Sequence, residues 1–230
     1  ILENGSDYYL KYGIKQDNES FLNIFMSIFG YNTKNQFLKN IEKLISNNKI
    51  FNSLENGILK YKFKTHKNYI KYLENKENLI IDEEFTWDLF RQPNLSKNIP
   101  NGINIIIFNE LENGNINIVC PYHDEISHFI DNNKKNIIIY KSVFSINPIY
   151  RIKVNKNKLE IDKFVSNQDL VLKKIINIYS DRCFQEKRRF ENRFENITGF
   201  KIPLNVIDLY QEIQNLKKYY FWIIIFNYLI

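Results

Sequence analysis

Cys120, His123 and His128 stand close together in the chain, and thiolate sulfur and imidazole nitrogen both suit a tetrahedral, borderline-soft ion such as zinc. A closed site needs four ligands, so a fourth would have to come from Cys183 or from a carboxylate such as Asp124 or Asp131. No second Cys-x-x-Cys or His pair is present. The competing reading is a core cysteine at a strand end followed by two loop histidines, and it is the expected one, with no metal and no cofactor. Both cysteines are expected to be reduced, because two residues so far apart in sequence cannot build the dense framework of a small secreted domain.

A second chemistry is metal-dependent phosphodiester cleavage of the restriction-like kind. It places an acidic residue on one strand and an acidic-x-Lys triplet on the next, so that two carboxylates hold Mg²⁺ and the lysine orients water or phosphate. Glu110, Glu112 and Lys141 provide part of such a set, but Ile139 stands two before Lys141 where the second acid belongs. Glu160 and Asp162 alternate along one strand, which a solvated sheet edge explains equally well. Nucleophilic catalysis has less support: no Gly-x-Ser-x-Gly elbow is present, and neither cysteine has an activating local signature. Seven scattered glycines form no Gly-x-Gly-x-x-Gly or Walker-type loop, which argues against ATP hydrolysis.

The remaining candidate chemistry is electrostatic. Lys187, Arg188, Arg189 and Arg193, preceded by Lys173 and Lys174, form the one basic concentration, and a helix carrying them could lie along nucleic-acid phosphates. Asp181, Glu186, Glu191 and Glu195 are interleaved at spacings that favour pairs within the helix, so a solvated helix face is the alternative.

The elements that position these residues follow from periodicity. Phe21, Ile24, Phe25, Ile28 and Phe29 repeat at helical spacing with Gly30 as a stop, and Thr33 with Gln36 opens a second helix striped by Phe37, Leu38, Ile41, Leu44 and Ile45. Shorter helices are predicted at 50–55, 66–73 and 83–90, making residues 1–92 a helical module. Periodicity lapses between Arg91 and Gly102, where Pro93, Pro100 and Gly102 mark a connecting loop. From there the pattern turns β: 103–108, 116–120, 136–140, 148–154 and 158–164 are strands, with Asn113-Gly114 as a hairpin turn. They read as an antiparallel meander of four to five strands. Ser166 with Asp169 then starts a long helix striped by Leu172, Ile176, Tyr179, Cys183, Phe190, Phe194 and Ile197, and Pro203 opens a shorter one. The fold class is therefore α+β, with the long C-terminal helix packed on the sheet and residues 101–230 forming the second part, or one domain continuous with the first.

Composition sets the bounds. The 230 residues are 44% hydrophobic and 15% aromatic, too apolar for a disordered chain, and the net charge of +6 favours an anionic surface without demanding one. The apolar end, Tyr219 to Ile230, is about half the ~20 residues a membrane-spanning helix needs, so no membrane span is expected. Ile1 is not Met, and no leader-like segment follows it, so the expectation is a fragment of something longer, and the cysteines, read as reduced, make it an intracellular one.

Several stretches taken together carry a resemblance. Asp7-Tyr8-Tyr9-Leu10-Lys11-Tyr12-Gly13-Ile14-Lys15-Gln16 with Ser20-Phe21-Leu22, then Trp87-Asp88-Leu89-Phe90, Asn101 to Phe108, Ile118-Val119-Cys120-Pro121 and Pro148-Ile149-Tyr150, resemble an internal region of large proteins of nucleocytoplasmic large DNA viruses. The resemblance covers residues 7–164 and connects with the large subunit of the viral early transcription factor. It implies a virion-packaged, non-enzymatic initiation component whose partners are DNA and other viral transcription or virion proteins, located in infected-cell cytoplasm or the virion. No functional residue is carried over from it. The metal-dependent nuclease, or an inactive descendant of one, is the alternative, and a structural protein–protein interaction domain is a third.

Overall fold

The computed structural model describes residues 3–4, 7–120, 130–155 and 158–183. Its helical part is built as the apolar stripes require. In α1 (Ser20–Phe29), Phe21, Leu22, Ile24, Phe25, Ile28 and Phe29 are buried, and Gly30 ends the helix in the left-handed conformation. Thr33 caps α2 (Lys34–Ile45), its hydroxyl accepting from the Gln36 amide at 3.3 Å, and Phe37, Leu38, Ile41 and Ile45 face inward. The short helices α3 (Asn48–Ser53), α4 (Ile58–Phe63), α5 (His66–Glu74) and α6 (Trp87–Arg91) follow, with a 3₁₀ turn over Leu54–Gly57 between α3 and α4. Phe90 of α6 is the centre of an aromatic core. Its ring lies 4.2 Å from Phe25, 5.9 Å from Phe37, 6.2 Å from Phe21 and 6.4 Å from Phe29, and such pairs add about 0.5–1.5 kcal/mol each beyond area burial.

The sheet corrects the expected antiparallel meander. Among the described residues it is mixed and seven-stranded, built from β1 (Glu3–Asn4), β2 (Asp7–Lys11), β3 (Ile103–Glu110), β4 (Ile116–Val119), β5 (Lys135–Lys141), β6 (Ile146–Asn155) and β7 (Lys158–Asp162). The order is β1-β2-β6-β5-β3-β4, with β7 also pairing β6. Strands β3 and β5 run parallel, with Ile105 opposite Ile137 and Ile107 opposite Ile139. The hairpin at Asn113-Gly114 sends β4 back along one edge of β3, and β5 runs in the same direction as β3 on its other edge. Consecutive burial of Ile105, Ile106 and Ile107, and of Ile137, Ile138 and Ile139, shows both faces of this central pair covered, as parallel strands require. The Tyr8-Tyr9-Leu10 segment is a strand, antiparallel to β6, too short to announce itself by alternation.

β6 serves two partners along one edge: Ile146–Ile149 pair with β5 and Arg151–Asn155 with β7, while β2 occupies the opposite edge. β4 has β3 on one side and carries Ile116 at 58% exposure. A helix over 170–183, here α7, packs on the sheet through Leu172, Tyr179 and Cys183. Its cap is Asp169 rather than Ser166, accepting from the Val171 and Leu172 amides at 2.9 and 3.0 Å. The predicted continuation of this helix, the helix after Pro203 and the apolar end lie outside the described residues. Among the described residues, no helix is long and apolar enough to cross a membrane. Gly102 joins the two parts where φ is +80°, and a Cβ there would meet the carbonyl oxygens of Arg91 and Gln92, so the close approach of α6 to β3 depends on glycine.

Candidate functional site

Asparagines abundant enough to read as compositional bias turn out to build one wall of a cleft. Asn104 on β3 and Asn136 on β5 are both buried, and the Asn104 amide donates to the Asn136 side-chain oxygen at 2.8 Å and to the Asp131 carbonyl at 2.9 Å. The Asp131 amide returns a bond to the Asn104 oxygen at 3.1 Å, and Asn136 donates to the Val165 carbonyl at 3.0 Å and to Asn167. Asn167 donates in turn to the Asn132 carbonyl at 2.7 Å. Buried amides are stable only when satisfied in this way. The network fixes the turn before β5, the parallel β3–β5 pair and the approach to α7 as one unit.

Between that unit and α7 opens a cleft of about 310 Å³ lined by Ile130, Asn132, Asn167, Lys173, Ile176, Asn177 and Ser180. Lys173, Asn177 and Ser180 follow one another at helical spacing along the flank of α7 beside the buried stripe of Leu172, Tyr179 and Cys183. None of these three polar side chains is engaged by another among the described residues, so an ammonium, an amide and a hydroxyl keep their bonding capacity for an occupant. Among the described residues the lining contains no carboxylate.

The buried face of α7 is held down twice. The Tyr179 hydroxyl donates to the Val119 carbonyl at 2.5 Å, and Cys120 and Cys183 form a disulfide with Cα atoms 5.6 Å apart across 63 residues of chain. This overturns the expectation of reduced cysteines: β4 and α7, distant in sequence, are brought side by side by the sheet. Both sulfurs are therefore bonded to each other in place of a metal, and His123, His128 and Asp124 lie outside the described residues. Asp131 spends its backbone on the asparagine network and its carboxylate on the Asn133 amide at 2.9 Å.

The acids considered for phosphodiester cleavage are dispersed. Glu110 accepts from the Tyr140 hydroxyl, and both oxygens of Glu83 hold the Lys141 ammonium at 2.7 and 2.8 Å. Glu112 is exposed in the β3–β4 turn. Asp162 pairs with Lys153 at 3.3 Å, and its strand position lies opposite Arg151 of β6 whereas Lys141 lies opposite Ile146 on the same edge. At ~3.3 Å per residue those positions are about 16 Å apart, too far to share a metal ion. Lys187, Arg188, Arg189 and Arg193 lie outside the described residues.

A further buried polar group joins the helices to one another. Glu55 and Asp88 exchange backbone bonds, the Glu55 amide donating to the Asp88 carboxylate at 2.8 Å and the Asp88 amide to the Glu55 carboxylate at 2.9 Å. Burial, reinforced by the charge of Asp88, pushes the Glu55 carboxyl well above its usual range. Burial likewise lowers the proton affinity of Arg91, with Asp88 acting against it, and the Lys134 ammonium donates to the Arg91 carbonyl at 3.1 Å. At the cap of α7, burial works to raise the Asp169 carboxyl, but bonds from Tyr9 and the Leu172 amide, together with Arg151 at 3.5 Å, hold it below its usual value. These groups are joints of the fold, each turned toward its own partners.

Sequence reasoning singled out Lys173 on α7 and missed Asn132, Asn167, Asn177 and Ser180, whose significance depends on facing one another across space. No family model matches the chain. It is similar to an uncharacterized protein of Acanthamoeba polyphaga mimivirus, at 28% identity over 207 residues that cover 81% of this chain and 13% of that protein. The chain thus spans about an eighth of the length of its relative, and the likeness supports a giant-virus connection while saying nothing of transcription.

Proposed function

We propose that this chain is a non-catalytic module of a larger giant-virus protein and that it binds nucleic acid through α7. The observation that carries the reading is the cleft on the flank of that helix, with Lys173 and two unengaged polar side chains lining it and no carboxylate among its described lining residues. In sequence, Lys187, Arg188, Arg189 and Arg193 extend the basic character of the same segment, and the chain as a whole carries +6. Neutralising phosphates with such residues supplies affinity without reading sequence. The separation of about 16 Å between Lys141 and Asp162 favours binding over cleavage. A place in viral early transcription rests on the order of the segments between Asp7 and Phe164 and makes DNA the first ligand to try. Of the two settings implied by that resemblance, the virion suits the Cys120–Cys183 disulfide, because such bonds persist at virion surfaces and are rare in reducing cytosol.

The test is fluorescence anisotropy with labelled DNA over a salt series. Affinity should fall steeply between 50 and 200 mM salt, on the order of tenfold for each two phosphate contacts made. Changing Arg188, Arg189 and Arg193 together to Ala should flatten that dependence. Binding indifferent both to salt and to the triple change would refute the proposal.

A further inference from the structure

Resting on that reading, we infer that the cleft on α7 receives one unpaired nucleotide, so that the module prefers single-stranded nucleic acid to duplex. Its volume of about 310 Å³ lies at the small end of the roughly 300–1,000 Å³ of ligand sites, a size for a single nucleotide unit rather than a groove for a helix. The chemistry of the lining divides in the same way as the chemistry of a nucleotide. Ile130 and Ile176, each partly buried against the core, offer apolar surface for the face of a base. The amides of Asn132, Asn167 and Asn177 offer donors and acceptors for its edge, and Lys173 supplies the cation for a phosphate.

The wall opposite α7 is preorganised. Asn167 is anchored by its bonds to Asn136 and to the Asn132 carbonyl, and the network behind it reaches the buried Asn104. Little ordering of the Asn167 side chain is therefore left to oppose binding on that side. Paired bases are stacked inside a duplex and cannot enter such a cleft without being extruded, which costs unpairing and unstacking. A single strand presents its bases freely.

The experiment compares a labelled single-stranded oligonucleotide of mixed sequence with the duplex of the same length, on the whole chain at fixed salt. The wild type should bind the single strand about tenfold more tightly. Asn177→Ala, at an exposed position with a good helix-forming replacement, should weaken single-strand binding about tenfold and duplex binding by much less, so that the preference for the single strand is lost. Lys174→Gln, outside the cleft lining, serves as the control for a change of charge without loss of the site. Circular dichroism confirms that each variant is folded. Equal affinity for the two forms, or Asn177→Ala weakening both alike, overturns the inference and leaves nucleic-acid binding intact. Absence of binding to either form overturns this inference and the broader reading together.

Discussion

Reduction of the Cys120–Cys183 bond provides the sharpest test of how α7 is held. The bond closes a loop of 63 residues, and in the chain-entropy account a loop of that length restrains the unfolded state by about 4 kcal/mol. The folded state should survive its loss, because Leu172 and Tyr179 stay buried and the Tyr179 hydroxyl still reaches the Val119 carbonyl. Most of the effect should therefore appear as reduced stability rather than altered structure. For a chain of this size the full loss corresponds to a fall of on the order of 10 °C in Tm, or a drop of more than about 1 M in the urea midpoint. The measurement is urea unfolding followed by intrinsic fluorescence, with and without dithiothreitol, beside a thiol titration in denaturant. The oxidised protein should show no free thiol and the higher midpoint. Cys183→Ser should match the reduced wild type, and its midpoint should not respond to reductant. Two titratable thiols in protein never exposed to reductant, or equal midpoints in both conditions, would refute the argument.

Two further expectations concern buried polar groups. Asn136→Ala leaves Asn104, Asn167 and the Val165 carbonyl short of partners in the interior, so it should destabilise by about 2–4 kcal/mol in urea unfolding, while Asn101→Ala at the exposed end of the same region should cost under about 0.5 kcal/mol. Glu55 has a folded-state proton affinity raised by burial, so the folded protein binds more protons than the unfolded one above the ordinary value of 4.5, and stability should fall as pH rises from there through the folded value. Glu55→Gln keeps an oxygen for the Asp88 amide and removes the ionisation. The fall of the urea midpoint with pH should flatten in this variant, and a slope identical to wild type would show that Glu55 is not the group responsible.

What the sequence determined by itself is what local periodicity encodes. The stripes of α1 and α2, the Thr33 cap, the Asn113-Gly114 turn and the apolar runs of β3 and β5 were all legible, because each depends on residues within a few positions of one another. The α+β class followed from them. Pairing did not. Ile103 to Phe108 and Asn136 to Tyr140 have the same apolar character whether they run parallel or antiparallel, and only the path of the chain around β4 decides between the two. The strand at Tyr8–Leu10 exists because β6 offers it an edge. The disulfide and the cleft belong to the same category. Cys120 and Cys183 meet because β4 lies beside α7, and Asn104, Asn136, Asn132 and Asn167 form a network because two parallel strands and a helix approach converge on one turn. A bond between residues distant in sequence leaves no periodic signature, so tertiary structure alone turned scattered asparagines, a lysine and a serine into a place where a ligand can sit.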